Sequence, residues 1–519
     1  MNQKGERSMR HKVRLRQLAA ASLVAFAMLA QQGSVQGQPA QAPPPLFAFV
    51  EPAGQRSLPA PQADRLQTYQ ADPSAAEVSV VRVQLQALRS ADAVNLNLSP
   101  QRSVPLDRVR VEQRGPQSFS YFATSSSAPD EAIIVVDGKD VVGTIRSGGE
   151  LYRLRPLDGD TQALIRVDRT KLPEEHPPEY QQLEERSRQR DRGELLQPRE
   201  LQDPCTEYTA IVAYTPAAQA EAGGIDALIQ LAIDETNQGY TNSGFNTKIK
   251  LVHKYQTNYT ESADMALDRD RFRIKNDTYM DEVHGLRDQY AADVAILITK
   301  SGNYCGIAAD IYASEDTGFA VVGQNCATGY YSFAHEIGHL QGARHNPEAD
   351  PTTTPFAYGH GYYHEPGQWR TIMAYQCPAG CDRKNYWSNP NVSFGGVPMG
   401  TAATHHNARV LGETACRVAN FRSTAVAKGP LAFGVVLANG QKHSGTTNWT
   451  SAYNPTYQRY EISISGESYY YLSYATNVTP AGDVRHCRSS SVGGQLLVYC
   501  TDVSGNPAPS RFGFATYKP

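Results

Sequence analysis

His335-Glu336-Ile337-Gly338-His339-Leu340-Gln341-Gly342-Ala343-Arg344-His345 sets three histidines, one glutamate and two glycines into eleven residues. On a helix, residues four apart share a face, so His335 and His339 can hold one metal ion side by side. Glu336 then lies beside the metal, placed to take a proton from a water. Gly342 ends the helix and lets the chain turn, which returns His345 as a third nitrogen ligand. Three protein ligands and one open position form the catalytic arrangement of zinc, whereas a structural site is closed by a fourth ligand. The competing reading is a solvated helix face rich in histidine. Against it, the five fixed positions would coincide by chance in a chain of this length on the order of once in ten thousand or less.

The surrounding 519 residues exceed one typical core and imply about three domains. A formal net charge of -3 argues against nucleic-acid or membrane-surface binding driven by bulk charge. Arg10, Lys12, Arg14 and Arg16 precede an apolar run from Leu18 to Ala30 and then small and polar residues. Residues 1–37 therefore read as a secretory signal cut after Val35-Gln36-Gly37, with Met9 as an alternative start; the run is too short for a permanent anchor. No other stretch can cross a membrane as a helix. All eight cysteines lie at or after Cys205, and an even number in an exported chain favours disulfides. Proximity pairs Cys305 with Cys326, Cys377 with Cys381 and Cys487 with Cys500, leaving Cys205 for Cys416. A cysteine-built structural zinc site is the alternative.

Residues 38–77, rich in Pro, Gln and Ala, read as a disordered lead-in. Residues 78–171 alternate as short strands: Val81, Val83 and Leu85 interleave with Arg82, Gln84 and Gln86, and Asp137-Gly138 joins two apolar runs as a tight hairpin. This is an all-β domain without cysteine. Residues 172–204 form a charged, exposed linker in which 184–192 is either a solvated helix or plain coil, and its position marks it as a propeptide junction with the activation site. Residues 205–424 read as α/β, a mixed twisted sheet with helices around a zinc cleft. Thr209–Tyr214, Lys248–Val252, Val294–Ile298 and Phe319–Val322 are its strands; Ile225, Leu228, Ile229, Ala232 and Ile233 give a helical period. A substrate peptide can pair with Phe319–Val322 if that strand lies at the sheet edge. Residues 430–519, rich in Tyr, Ser, Thr and Gly, read as a β-sandwich-like domain of unknown role, with Tyr469-Tyr470-Tyr471 as a strand having one buried and one exposed aromatic side.

Met373 stands in Thr371-Ile372-Met373-Ala374-Tyr375, downstream of His345. An extended zinc motif followed by such a methionine resembles the metzincin metallopeptidases. More closely, Cys305-Gly306-Ile307-Ala308, Phe333-Ala334 and Tyr386-Trp387-Ser388-Asn389-Pro390 resemble the bacterial reprolysin-like group, including the peptidyl-Asp metalloendopeptidases. The resemblance runs from Tyr208 to Arg422, and the upstream β domain is similar to the propeptides of that group. It implies one catalytic zinc on His335, His339 and His345, Glu336 as general base, and Met373 as the hydrophobic floor of the site. It also implies protein or peptide substrates, with the chain's own propeptide as inhibitor.

Two departures stand out. Adamalysin-type enzymes carry Asp directly after the third histidine, and here it is Asn346. Tyr375 stands two residues after the methionine, as in astacins and serralysins, where it binds zinc or the oxyanion; the other reading is a buried tyrosine with its hydroxyl satisfied. Arg383 and Lys384 fall in the stretch that borders the specificity pocket of metzincins. Facing that pocket, they favour an acidic residue after the cleaved bond; otherwise they are exposed loop charges. Latency rests on Cys205, on Asp203, or on steric cover by the β domain. His360, His364, His405 and His406 lack ligand spacing and read as loop or satisfied polar residues. A secreted binding or adhesion protein with a vestigial metal site is the competing class, and intact Glu336 speaks against it.

Overall fold

Val294–Thr299 is apolar along its whole length and buried on both sides, as expected of a central strand. It lies in the middle of a five-stranded sheet ordered Lys248–Gln256, Glu207–Tyr214, Val294–Thr299, Phe319–Gly323 and Gly306–Ala308. The first four strands are parallel and the last is antiparallel, a mixed sheet as expected. Helix Ile225–Asn242 and the metal-motif helix Ser332–Gln341 cover one face through Leu228, Leu231, Phe333 and Ile337. Helices Met265–Arg273 and Glu282–Gln289 cover the other through Phe272 and Val283. Phe319–Gly323 is therefore interior and not the edge on which a peptide can pair. The edge is Gly306–Ala308, a strand too short to announce itself by period, which the Cys305–Cys326 disulfide ties to the segment leaving its neighbour.

The structure, a computed structural model, describes residues 42–99, 102–189, 205–422, 430–481 and 485–517. Nine antiparallel strands precede the α/β sheet, from Phe47–Phe49 at one edge to Ala93–Ser99 at the other. The two edges meet. Leu46 N donates to Asn95 O at 2.8 Å, and the Asn97 side chain takes Phe47 N–H at 2.9 Å while donating to Phe47 O at 2.6 Å. This closure corrects the disordered lead-in: among residues 42–77, strand Phe47–Phe49 seals an otherwise open edge. Helix Ala60–Gln70 packs Leu66 and Tyr69 against Val80 and Ile165. The expected strand through Leu85 stops at Val83, and Leu85 begins a short helix. Asp137 pairs with Asp140 across a two-residue turn in which Gly138 takes φ +61°, as the hairpin reading requires. Strand Glu131–Asp137 is apolar on both faces for a reason. Ile134 and Val136 point inside the closed sheet, while Ile133 and Val135 join the core around helix Ile225–Asn242.

The linker reading holds only in part. Residues 172–189 are bound to the α/β core: helix Tyr180–Gln189 buries Tyr180 and Leu183 beside Ile211 and Ile307. The rest of the linker, including Asp203, and the signal segment 1–37 lie outside the described residues. After residue 430, two four-stranded antiparallel sheets enclose Trp449, Tyr460, Ile462, Leu496 and Phe512. Tyr469-Tyr470-Tyr471 is a loop and not a strand, with Tyr469 buried and the other two exposed. All four disulfides join the expected partners. Among the described residues no helix is long and apolar enough to cross a membrane.

Leu46 is fully buried at the seam of the closed sheet. Replacing it with Ala should cost about 2–5 kcal/mol in the β region and speed proteolysis between residues 42 and 60. Unchanged thermal unfolding of the full-length chain would show that the seam does not hold the sheet together.

Candidate metal centre and active site

Helix Ser332–Gln341 carries His335 and His339 one turn apart, and Gly342 caps it at φ +100°, a left-handed conformation that favours glycine. The reversal is completed by Ala343 N donating to Gly338 O at 2.9 Å. His345 is then held from behind, since His360 Nδ1–H donates to its carbonyl at 2.7 Å. His360 is thus a satisfied polar residue, as expected, and also the support of His345. The three histidine Nε2 atoms converge at 3.1, 3.1 and 3.0 Å from one another.

His335 Nδ1–H donates to Ile372 O at 2.8 Å and His339 Nδ1–H to Ala343 O at 2.9 Å. A carbonyl only accepts, so both Nε2 atoms turn bare lone pairs toward the common centre. Burial, with neighbouring positive groups, pulls all three imidazoles well below the usual histidine range, so they stand neutral. Converging lone pairs repel unless a cation sits among them. Nitrogens sharing one zinc at about 2.0–2.1 Å stand roughly 3.3 Å apart in tetrahedral geometry, close to what is seen. The donor set fits a small divalent cation.

Glu336 lies against this centre. Its Oε2 is buried without a hydrogen-bond partner, and burial raises its pKa, opposed by His176. Glycines make room for it and for the floor. A Cβ on Gly306 would stand 2.6 Å from Glu336 Oε1, and one on Gly338 would stand 2.6 Å from Trp387 and 2.8 Å from the Met373 sulfur. Met373 is fully buried, its sulfur against Gly338 of the helix. Tyr375 packs its ring on His345, with centroids 4.0 Å apart, and Asn346 Oδ1 accepts its backbone N–H at 2.8 Å. Asn346 therefore positions Tyr375, and this is what the departure after the third histidine does here. Burial holds the Tyr375 hydroxyl well above its ordinary pKa, so it stays protonated.

Arg383 is fully buried, not an exposed loop charge. The two-residue strand Asp382–Arg383 pairs in parallel with Trp369–Arg370, bringing Arg370 and Arg383 side by side. Both grip one carboxylate: Glu175 lies 3.0 Å from Arg370 Nη1 and 2.6 Å from Arg383 Nη2, and Tyr330 O–H donates to it at 2.7 Å. Burial alone would raise Glu175, but Arg383 and Arg370 outweigh it and hold its pKa at about 2. Lys384 is not part of this group; its ammonium pairs with Asp382 at 2.8 Å. Asp382 also takes Arg146 of the β region at 2.9 Å.

Sequence reasoning missed Arg370 and His176. Arg370 sits three residues before Met373 in an apolar stretch, and a basic residue there was its only signal. His176 joins His335, His339 and His345 in one buried cluster whose candidate ligand atoms all lie within 4.8 Å of one another. Its signal was the run Glu174-Glu175-His176-Pro177-Pro178, where a lone histidine precedes two prolines in a charged segment. Cys205, disulfide-bonded to Cys416, has no free thiol to offer the metal. His364, His405 and His406 lie outside the cluster.

A family model described as Metallo-peptidase family M12 matches residues 206–388. A peptidyl-Asp metalloendopeptidase of Xanthomonas campestris is 41% identical over 410 residues, covering 78% of this chain and 96% of that one. Two from Stenotrophomonas maltophilia are 44% identical over 371 residues, covering 68% and 88%, and 45% identical over 315 residues, covering 60% and 75%.

Gly338→Ala should force Trp387 and Met373 away from the helix. We expect about 1–3 kcal/mol of destabilisation from overpacking and metal affinity about 10–100-fold weaker. Competitive chelator titration measures it, and unaltered affinity would contradict the floor reading.

Proposed function

The chain belongs to the M12 metallopeptidases, in the group whose relatives are named peptidyl-Asp metalloendopeptidase, and from this footing we propose an exported zinc endopeptidase, made as a latent precursor, that cuts internal peptide bonds beside acidic residues. The observation that carries the chemistry is the convergence of three buried histidine lone pairs next to Glu336. Residues 205–424 are the metzincin catalytic domain in this reading. The β region before them, including the ordered lead-in, is the propeptide, and residues 430–519 are an appended β domain. Four disulfides and the absence, among the described residues, of a membrane-crossing helix fit an extracellular destination.

His335, His339 and His345 would hold the zinc ion, which when bound would supply Lewis acidity near neutral pH. Glu336, buried with Oε2 free of hydrogen-bond partners, accepts the proton of the attacking water and passes it to the leaving amine. The Tyr375 hydroxyl, protonated and beside His345, donates to the oxyanion as it forms. Edge strand Gly306–Ala308 offers main-chain groups to an extended peptide. Arg370 and Arg383 give the specificity. With Glu175 withdrawn, two buried guanidiniums lack a counter-ion, and a substrate carboxylate restores it.

Glu336→Ala should keep one zinc per chain by metal analysis yet lose nearly all hydrolysis. Substantial remaining turnover would refute the assigned base. Tyr375→Phe should lower kcat with KM little changed, and an unaltered kcat ends the oxyanion role. Arg383→Ala should reduce kcat/KM on peptides with an acidic residue by about 10–100-fold, the worth of a charge-assisted hydrogen bond, and spare apolar ones. Cleavage mapping on a mixed peptide library reads this directly, and an apolar preference in the unmodified enzyme would discard the acidic pocket.

A further inference from the structure

We infer that His176 is the fourth metal ligand of the precursor and that Glu175-His176 acts as a two-point plug, the imidazole closing the metal and the carboxylate filling the acidic pocket. This rests on the zinc-peptidase reading above and adds the residue that makes the enzyme latent.

The geometry is that of four equivalent imidazoles. The His176 ring centroid stands 5.0 Å from that of His335, 5.3 Å from His339 and 4.9 Å from His345. The three among themselves are 4.8, 5.1 and 4.7 Å apart. Ring for ring, His176 is thus as near to each of the three as they are to one another, at the fourth corner of a tetrahedron of centroids, with the candidate ligand atoms of all four within 4.8 Å. A closed tetrahedral set is a structural zinc site; opening one corner makes it catalytic.

The same ring occupies every other group that the reaction needs. Its Nε2 lies 3.1 Å from Glu336 Oε1, the atom that a nucleophilic water must reach. Its Nδ1 lies 2.6 Å from the Tyr375 hydroxyl. The Glu336 carboxylate only accepts, so without a metal Nε2–H donates to it; binding a metal at Nε2 would shift the ring proton to Nδ1, where the Tyr375 oxygen can accept it.

The plug is held on both sides. Glu174 N donates to Asn303 O at 3.2 Å, Cys305 N to Glu174 O at 2.8 Å and Gly306 N to Glu175 O at 3.1 Å. These bonds use the start of the edge strand. Glu175 is clamped by Arg370 and Arg383 as described. Beyond His176, Pro177-Pro178 restrict the backbone, and Tyr180 packs its ring on His176 at 4.5 Å, on His345 at 4.6 Å and on His339 at 5.1 Å. Each contact is lost together if a cut between Gln189 and Cys205 frees the segment.

The test uses the full-length chain carrying Glu336→Gln, which holds the precursor intact, against the same chain with His176→Ala or His176→Gln. Zinc K-edge absorption should fit four imidazoles in the first and three plus a light oxygen donor in the others. Cobalt-substituted precursor should show no exchangeable water by nuclear relaxation, and both His176 variants should show one. Zinc should leave the precursor for a chelator about tenfold more slowly, or slower still, than it leaves the His176 variants. Thermal unfolding of the two variants confirms that they are folded. An exchangeable water in the precursor, with three imidazoles throughout, overturns the plug and leaves the zinc reading standing. A chain that takes up no zinc in any of these forms overturns both.

Discussion

Three buried imidazole lone pairs aimed at one point are a constraint that the rest of the site obeys. Each must be turned inward by a hydrogen bond on its far side or fixed by its backbone. The partners that do this, Ile372 O, Ala343 O and the His360 contact to His345 O, come from three separate segments. Those segments must pack closely, so the helix that bears two of the ligands cannot carry side chains where they cross. Gly338 admits Met373 and Trp387, Gly342 admits the turn toward His345, and Gly306 admits Glu336. Mutual repulsion of the lone pairs without a cation means that metal binding and local folding share one free energy.

The histidine cluster was legible because the spacing of His335, His339 and His345 is local. An i, i+4 pair on a helix and a glycine turn need no knowledge of distant chain. Met373 was legible only together with them, since a methionine in an apolar run is ordinarily core filling. The four disulfide pairings followed from proximity and elimination. What sequence could not show lies across long separations. His176 reaches the cluster from 159 residues upstream of His335, through contacts made by a segment whose composition reads as solvated linker. Arg370 and Arg383 become neighbours only through a two-residue strand pair, too short to leave a period. The lead-in read as disorder because Pro, Gln and Ala dominate it; the hydrogen bonds that order it belong to Asn95 and Asn97.

The β region is more than a cover. Its strand Glu131–Asp137 gives one face to its own interior and the other to the core around helix Ile225–Asn242. Arg146 pairs with Asp382 beside the arginine-bearing strand, and it also donates to Gly329 O at 2.6 Å. The shared core and the Arg146 contacts fix the register of these surfaces, so the segment from Leu172 to Tyr180 needs to search little conformational space before it meets the cleft. The contacts of Glu174, Glu175 and His176 then form as an effectively intramolecular step.

In the proposed reading, specificity and latency draw on the same pair of charges. Two buried guanidiniums cannot be left without an anion at small cost, so the segment proposed to silence the enzyme and the substrate proposed for it would both present a carboxylate. A propeptide residue that bound better at this point would silence the precursor more firmly and would compete more strongly after cleavage. A pocket with less positive charge would relax both functions at once. As proposed, Glu175 and His176 would divide the task in a way that eases this coupling: the carboxylate would take the recognition that a substrate also uses, while the imidazole would hold a metal position that substrate chains reach only through a carbonyl. The difference between inhibitor and substrate then lies at the metal and not in the pocket.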